Sequence, residues 1–514
     1  MLNISLLALT LWGGTLAGPF RIADSEQGHH QGCLRTAMAS DGHFAVAWVD
    51  SLRVDYPPFR ELELFVRFFD QDGNPLTDPY KITKVADTHR IGGSHLDMDS
   101  AGNTVLLWTE HPYPDPNEGF LRLQLFDTSG NPLGSPQTDH QGYVSWNNRS
   151  VAVSLNNQSE FAIVWDAEVI CARRYSFQGG PQGDSFRVHD DLPDDFYSNY
   201  PGVALNDAGD LVITWVEGLT AKHLYPRFQA FDAEDEPILG WEPMGYLVNE
   251  DSSGGTRVEP YWLDNDRFVL FWIDKGPWYI AGRVFADRGL TRHPICRLVH
   301  DSLAGTWADP TGRFAVALPS DERFAETHIR SYYDHPDTSD PSKLRCWEHG
   351  GGILGYIQDN EPIRWTNLFE YTPPLGKDTV NSHFNNRTHT QFPAVGVCDD
   401  RIVWVYSRFN PDTIFEAFAM ITDWDMGVGV VESPIQTASP IRLSASLNRL
   451  FYDVSGSVTG QAKLTLYSAD GRKVLEETIE GKGVWDAPPL PQGVYFARVE
   501  GETSSTTQKV VLIR

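Results

Sequence analysis

Residues 201–232 read PGVALNDAGDLVITWVEGLTAKHLYPRFQAFD, a series of apolar segments separated by polar turns. PGVAL predicts one strand, LVITW a second that ends at Trp215, and the segment ending in Phe231 and Asp232 a third. The Asp-Ala-Gly turn fits between strands because glycine adopts positive φ without steric cost. The apolar run after Pro237 predicts a fourth strand. This stretch therefore predicts a four-stranded antiparallel unit.

The turn and the strand that ends in tryptophan recur along the chain. Copies are SDGHFAVAW, DSAGNTVLLW, NNQSEFAIVW, NDAGDLVITW and DNDRFVLFW, which end at Trp48, Trp108, Trp165, Trp215 and Trp272. VCDDRIVW ends at Trp404, whereas DPTGRFAVAL ends at Leu318 without a tryptophan. The step between tryptophans is about 50–60 residues, within the range of propeller blades.

Repetition of four-stranded units predicts an all-β fold of the β-propeller type, because radial repetition leaves only short, protected sheet edges. We count seven units between residues 33 and 430 and expect a seven-bladed propeller. Segment 346–387 breaks the pattern and is predicted to be an insertion. Six or eight blades remain open if this segment is miscounted. A tandem of sandwiches is the other alternative, although sandwiches do not usually repeat with one tryptophan per unit.

The recurring tryptophan is predicted to lie in the core between blades. A large aromatic residue at the same place in every unit has a packing role in each of them. Stacking against a bound sugar is the alternative interpretation.

The C-terminal residues form a separate region. Residues 431–440 contain two Ser-Pro pairs and predict a linker. Residues 441–514 alternate polar and apolar residues, and LTLYSADGRKVLEETI predicts a hairpin around Asp470 and Gly471. We expect a small Ig-like β-sandwich here.

Short motifs in this region appear in a defined order. They are Leu466-Tyr467, Asp470-Gly471-Arg472, Gly493-Val494-Tyr495 and Lys509-Val510-Val511. The region resembles a type A sorting domain of the type IX secretion system. The resemblance implies passage through the outer membrane, the secretion machinery as a partner, and a secreted or outer-surface location. Within it, the expected sorting-signal residues are Gly493, Tyr495, Lys509, Val510 and Val511.

Residues 1–18 are apolar and predict a signal peptide, with Thr15-Leu16-Ala17 as a small-residue cleavage pattern. No Lys or Arg precedes the apolar run, and a buried N-terminal strand is the alternative. No later stretch is long and apolar enough to predict a membrane span.

Composition excludes some classes of partner. The chain has 514 residues and a formal net charge of −28. This charge argues against nucleic acid and against anionic lipid, because both require basic surface. The sequence contains no G-x-S-x-G, H-E-x-x-H or Walker motif. We expect no cofactor. A structural calcium ion at the run that begins at Asp70 is the alternative, although this run lacks a distal Glu and predicts a tight turn instead.

Acidic residues recur next to the repeated tryptophan. Four lie two positions after it, and a fifth directly follows it in the third unit: Asp50, Glu110, Glu217, Asp274 and Asp166. In a propeller this position is near one rim of the disc, and His95, Arg149, Tyr200, Arg257 and His389 are expected near the same rim. The set predicts a ring site for a cation, a basic peptide or a sugar. The alternative is carboxylates that end a strand and satisfy loop N–H groups.

The function expected from the sequence is an exported or cell-surface propeller that binds a glycan, peptide or protein ligand outside the cell. Whether it is an enzyme is left open, with binding alone preferred. The alternatives are a polysaccharide-degrading glycosidase or lyase, and a structural surface or adhesion component.

Overall fold

A computed structural model of the chain divides into two compact units, Met1–Gly427 and Val428–Arg514. The structure describes residues 15–24, 29–52, 60–85, 89–112, 118–145, 149–192, 196–220, 223–249, 255–274, 279–297, 306–308, 314–319, 322–334, 345–358, 361–370, 394–409, 415–424, 442–446, 449–453, 461–468, 472–486, 490, 493–500 and 505–512. Within these ranges the fold is all-β, with a single 3₁₀ turn at Asp287–Gly289. Across the same ranges, no helix is long and apolar enough to cross a bilayer.

The described part of the first unit forms seven antiparallel sheets, here called blades I to VII. The chain begins with β1 (Thr15–Arg21), which belongs to blade VII. Blade I contains β2 (His29–Met38), β3 (Phe44–Leu52), β4 (Arg60–Phe69) and β5 (Tyr80–Val85). Blade II contains β6 (His89–Met98), β7 (Thr104–Pro112), β8 (Gly119–Phe126) and β9 (Gln137–Gly142). Blade III contains β10 (Val151–Leu155), β11 (Glu160–Ala167), β12 (Val169–Ser176), β13 (Gly180–Pro181) and β14 (Phe186–Arg187).

The remaining blades follow the same order. Blade IV contains β15 (Tyr197–Leu205), β16 (Leu211–Thr220), β17 (His223–Phe231) and β18 (Tyr246–Leu247). Blade V contains β19 (Gly255–Trp262), β20 (Phe268–Asp274), β21 (Tyr279–Ala286), β22 (Thr291–Arg292) and β23 (Cys296–Arg297). Blade VI contains β24 (Thr306–Ala308), β25 (Phe314–Ala317), β26 (Arg323–Asp334), β27 (Arg345–Gln358) and β28 (Glu361–Glu370). Blade VII contains β29 (Ala394–Val397), β30 (Ile402–Phe409), β31 (Phe415–Thr422) and β1.

Buried apolar clusters join each blade to the next around a closed ring. One cluster lies between each neighbouring pair, from blades I and II through to blades VII and I. The innermost strand of every blade, which is β25 in blade VI, lines one common cavity at the centre of the ring. This closed arrangement of radially repeated sheets is the β-propeller fold that the sequence repeats predict.

The repeated tryptophans lie in these clusters, as predicted. Six of them, in blades I to V and VII, are no more than 1% exposed. Each packs against the preceding blade, so that Trp108 of blade II lies among residues of blade I and Trp215 of blade IV among residues of blade III. Their role is inter-blade packing.

The turns of the repeat are fixed by short side chains. Asn206 Oδ1 accepts hydrogen bonds from the backbone N–H groups of Ala208 (3.0 Å) and Asp210 (2.7 Å), and Gly209 has a φ of 90°. The Asp70 turn is built in the same way, with Oδ1 accepting from the N–H groups of Asp72 (2.9 Å) and Asn74 (2.8 Å). The run that begins at Asp70 is therefore the tight turn that its sequence predicts.

The sixth blade differs from the sequence expectation. The segment FAVA, expected as the second strand, is β25 and lines the cavity, and β26 is the second strand. Segment 346–387, expected as an insertion, supplies most of β27 and all of β28, the outer strands of this blade. The turn before β26 carries Glu322 (φ 64°), where blades I, II and IV carry Gly42, Gly102 and Gly209. β26 also lacks the repeated tryptophan, so the sequence pattern does not reveal it.

The N-terminal strand completes blade VII. β1 pairs with β31, with Thr15 opposite Thr422 and Arg21 opposite Phe418. This strand overlaps the last residues of the signal peptide expected at 1–18, whereas residues 1–14 lie outside the described residues.

The second unit contains two antiparallel sheets in its described part. One sheet contains β32 (Arg442–Ser446), β33 (Arg449–Asp453) and β36 (Lys482–Asp486). The other contains β34 (Gln461–Ser468), β35 (Lys473–Glu480), β37 (Gly493–Glu500) and β38 (Ser505–Leu512). Leu464, Leu466, Ala497 and Val499 form the centre of its core and are fully buried.

Candidate functional site

The first unit encloses a central cavity of about 360 Å³. The innermost strand of each of the seven blades contributes to its lining. The polar lining among the described residues comes from blades I to V and includes Arg35, His95, Asp97, Arg149, Ser154, Tyr200, Arg257, Glu259 and Tyr261. A concave site with convergent polar groups is the leading candidate for ligand binding.

Irregular pairing shapes the inner strands of blades I, II, IV and V. In each, the register with the second strand shifts next to the repeated tryptophan. Cys33, Tyr200 and Arg257 adopt positive φ values of 54°, 57° and 48° at these shifts. Bulges redirect side chains, and they concentrate beside functional sites. Here they place Tyr200 and Arg257 in the cavity lining.

Several cavity residues also form hydrogen bonds with unpaired backbone groups of neighbouring inner strands. Arg35 Nε donates to Ser94 O (2.7 Å), and Asp97 Oδ2 accepts from Leu155 N–H (2.7 Å). Tyr261 Oη donates to Val316 O (2.5 Å). The inner strand is a sheet edge with unpaired backbone groups, so these side chains provide the pairing that a further strand would give. Part of the polar lining is therefore structural.

Three arginines from alternate blades share the cavity. Burial lowers the pKa of Arg35 to about 10, and the charge of Arg257 lowers it as a smaller cause. Burial, followed by the charges of Arg257 and Arg35, holds the pKa of Arg149 well below its usual value. The three guanidinium groups are thus close enough to repel one another.

Glu259 is the carboxylate at the centre of this cluster. It forms an ion pair with Arg257 Nε. Burial acts to raise its pKa, but the charges of Arg257 and Arg149 and the hydrogen bond with Arg257 outweigh burial, and the pKa is lowered. Glu259 therefore stays ionised among the arginines.

His95 and Asp97 respond to burial in opposite directions. Burial, with the nearby charge of Arg35, lowers the pKa of His95 to about 4, so the imidazole is neutral at pH 7. Its Nδ1 accepts a hydrogen bond from the N–H of Val153 (3.4 Å). Burial raises the pKa of Asp97 to about 7, although hydrogen bonds from Leu155 and Met98 act against it.

The five acidic residues predicted at the rim are buried within the blades. Glu110 accepts from Trp108 Nε1 (3.0 Å) and pairs with Arg122 (2.9 Å). Glu217 pairs with Arg227 (3.1 Å). Neither Glu110 nor Glu217 is among the residues that line the cavity.

The other three acidic residues are also buried within their blades. Asp50 contacts His29 Nδ1 at 2.6 Å, and Asp166 accepts from the side chain of Ser145. Asp274 is 3% exposed. The structure therefore does not bring the five acids together around the cavity.

Most of the other residues predicted near the rim lie in the cavity lining. Arg149, Tyr200, Arg257 and His95 all line the cavity, whereas His389 lies outside the described residues. Arg35, Asp97, Glu259 and Tyr261 were missed by sequence reasoning. Their place in the strand register could have revealed them. Each lies on an inner strand, either opposite the residue that precedes the repeated tryptophan or two positions further along that inner strand. Arg35 pairs with Ala47 and Glu259 with Phe271 in this register.

No group of three or more His, Cys, Asp or Glu residues positioned to hold a metal ion occurs in the described part of the chain. Of the expected sorting-signal residues, Tyr495 is buried in the core of the second unit. Gly493 begins β37, and Lys509, Val510 and Val511 lie in β38.

Solved structures with similar folds include proteins of several kinds. A protein of unknown function from Dyadobacter fermentans is 12% identical, with 79% of this chain and 99% of that chain covered and a TM-score of 0.39. The NanB sialidase from Streptococcus pneumoniae is 11% identical, with coverage of 79% and 70% and a TM-score of 0.40. The α-L-arabinanase from Penicillium chrysogenum is 10% identical, with coverage of 81% and 98% and a TM-score of 0.36. At this level of similarity, these structures carry no information about the ligand of this chain.

Comparison with curated proteins gave no match. Residues 447–513 match the family model described as the secretion system C-terminal sorting domain. The match lies in the two-sheet second unit and covers the short motifs of the sequence. The protein therefore carries a type IX sorting domain, which directs its export to the cell surface or the extracellular space.

Proposed function

We propose that this exported protein binds an anionic ligand in the central cavity of its first unit, without catalysis of its own. One observation carries the proposal: Arg35, Arg149 and Arg257 line a single cavity in a chain whose net charge is −28. Arginine clusters recognise carboxylate and phosphate groups through paired N–H donors.

The electrostatics of the cavity support an anion over the cation or basic peptide that the acidic positions suggested. Three guanidinium groups against Glu259 and a partly ionised Asp97 leave an excess of positive charge in the cavity. Mutual repulsion of buried cations costs stability, and a bound anion relieves it. Buried titratable residues whose pKa values are shifted by neighbouring charges are typical of functional sites.

A polysaccharide hydrolase is the second candidate function. Glu259 and Asp97 both line the cavity, and their pKa values move in opposite directions, as in acid and base pairs. Binding without catalysis is favoured because both oxygens of Asp97 accept backbone N–H bonds, from Met98 (2.9 Å) and Leu155 (2.7 Å). That engagement gives the carboxyl group a structural role.

The test uses calorimetric titration of the full chain with a panel of small carboxylates, each followed by product analysis. Arg149→Gln is expected to weaken binding by about tenfold or more. Arg187→Gln, which removes an exposed arginine outside the cavity, is the matched control and is expected to leave binding unchanged. Product formation from a bound ligand favours the hydrolase instead, and equal binding by both variants rejects the cavity as the site.

A further inference from the structure

The cavity has two chemically different sides. Among the residues that the structure describes, blades VI and VII line it with small or apolar residues, which are Ala315, Val316, Ala317, Leu318, Ala394, Val395, Gly396 and Val397. The charged residues come from blades I, II, III and V. A ligand that fills this space presents an anionic edge to one side and C–H groups to the other.

Aromatic rings lie on the polar side of the cavity. Tyr200, Tyr261 and Trp262 belong to its lining. Trp262 Nε1 donates to Ala204 O (3.1 Å), and Tyr261 Oη donates to Val316 O (2.5 Å), so both rings are held in place. Rigid aromatic rings with a polar end suit ligands that have both apolar faces and hydroxyl groups.

Glu259 is the feature that a site for a simple anion does not need. It is ionised and stands among the arginines that attract the ligand, so it repels a second carboxylate. An ionised carboxylate accepts hydrogen bonds only. Its presence therefore suits a ligand that brings hydroxyl donors as well as negative charge.

The size of the cavity limits the length of the ligand. A volume of about 360 Å³ is at the lower end of the range for small-molecule sites. It suits a short saccharide, or the end of a longer one.

Taking the proposed anion-binding function as its basis, we infer that the ligand is a carboxylated saccharide. Arg35, Arg149 and Arg257 attract its carboxylate, Glu259 accepts from its hydroxyl groups, and its C–H face packs against the inner strands of blades VI and VII. The inference follows from the combination of arginines, one ionised carboxylate and aromatic rings in one cavity.

The test is calorimetric titration of the full chain with four probes. They are a hexuronic acid disaccharide, the matching neutral disaccharide, a sulfated disaccharide and a sugar-free dicarboxylate such as glutarate. We expect the hexuronic acid disaccharide to bind at least about tenfold more tightly than each of the others.

The other outcomes separate the two proposals. Equal binding of glutarate overturns the saccharide inference and leaves anion binding intact, and tighter binding of the sulfated sugar overturns the carboxylate assignment. Equal binding of the neutral disaccharide, or binding of no anion, overturns both proposals.

A second measurement uses Glu259→Gln, with folding checked by its thermal transition. We expect glutarate to bind at least as tightly as to the native chain, because a like charge is gone. We also expect the hexuronic acid disaccharide to bind about tenfold more weakly, because the acceptor is weaker. Parallel changes for the two probes would contradict the role given to Glu259.

Discussion

Asp97 Oδ2 accepts a hydrogen bond of 2.7 Å from the backbone N–H of Leu155, and this bond joins the inner strand of blade II to that of blade III. Similar bonds join other neighbours, such as Ser154 Oγ, which accepts from Leu205 N–H (3.1 Å). The cavity wall is therefore a set of strand edges held by side chains from the adjacent blade. Residues that line the cavity divide into those that hold the wall and those that are available to a ligand.

Removal of the Asp97 carboxylate is expected to destabilise the first unit. Asp97→Ala leaves the N–H groups of Leu155 and Met98 without their acceptor, which costs about 1–3 kcal/mol for each buried group left unsatisfied. Urea unfolding measures the loss. Asp191→Ala, at an exposed position, is the control, and equal stability of the two variants would contradict the role of Asp97.

Stability is expected to depend on pH through Asp97 and His95 with opposite signs. The pKa of Asp97 is about 7 in the folded protein, so the folded state holds its proton more tightly, and this contribution falls as pH rises from about 4 to about 7. The pKa of His95 is about 4, below its unfolded value, so its contribution is lost as pH falls from about 6.5 to about 4.

When one of these two residues is substituted, the dependence of unfolding free energy on pH is expected to show the contribution of the other. His95→Gln removes the histidine contribution, so stability between pH 4 and pH 6.5 decreases more with rising pH than in the native chain. Asp97→Asn changes the slope in the opposite direction. Urea unfolding across this range measures both, and slopes that match the native chain would contradict the assigned pKa directions.

The rim acids are expected to affect stability and not ligand binding. Glu110→Gln weakens the bonds to Trp108 and Arg122, and we expect a loss of about 1 kcal/mol in unfolding free energy. Affinity for small carboxylates should be unchanged, in contrast to Arg149→Gln. Loss of affinity in Glu110→Gln would indicate that the acidic residues predicted at the rim take part in ligand binding.

The N-terminal strand is expected to contribute to ring closure. Ile22 is fully buried between blades VII and I, and its N–H donates to Ala417 O (2.9 Å). Ile22→Ala should cost about 2–5 kcal/mol, because it leaves a cavity in this cluster. Leu16→Ala, at a residue 49% exposed, is the control in thermal unfolding. Similar small losses in both variants would show that this contact is not needed for closure.

Export is expected to depend on the second unit. A chain without residues 428–514 lacks the region that matches the sorting family, and we expect it to be retained inside the cell. Fractionation of cells and medium measures its location. Normal appearance of the shortened chain outside the cell would contradict the role of this domain.

The fold was predictable because its signal is repeated. A buried tryptophan with an Asx or Gly turn before it gives the same pattern in six of the seven blades, and packing of Trp108 and Trp215 between blades follows directly. In the sixth blade, FAVA was assigned to the second strand, but it lies on the inner strand. The actual second strand, β26, carries no tryptophan to mark it.

The site was less predictable because it depends on the direction of side chains. The sequence predicts that Glu110 lies near the rim, but its bonds to Trp108 Nε1 and Arg122 hold it within its own blade. Arg35 and Glu259 lie in the inner strands β2 and β19, away from the repeated tryptophan in sequence. Their convergence depends on distant blades that meet at the axis, which a local pattern does not reveal.

The most direct test of the central claim is calorimetric titration of the full native chain and of Arg149→Gln with the carboxylate panel, at low and at high salt. We expect the native chain to bind carboxylates more weakly as salt increases. The affinity should be reduced by about tenfold or more in Arg149→Gln and unchanged in Arg187→Gln. Absence of binding to every carboxylate, or equal affinity in all three proteins, would contradict the claim.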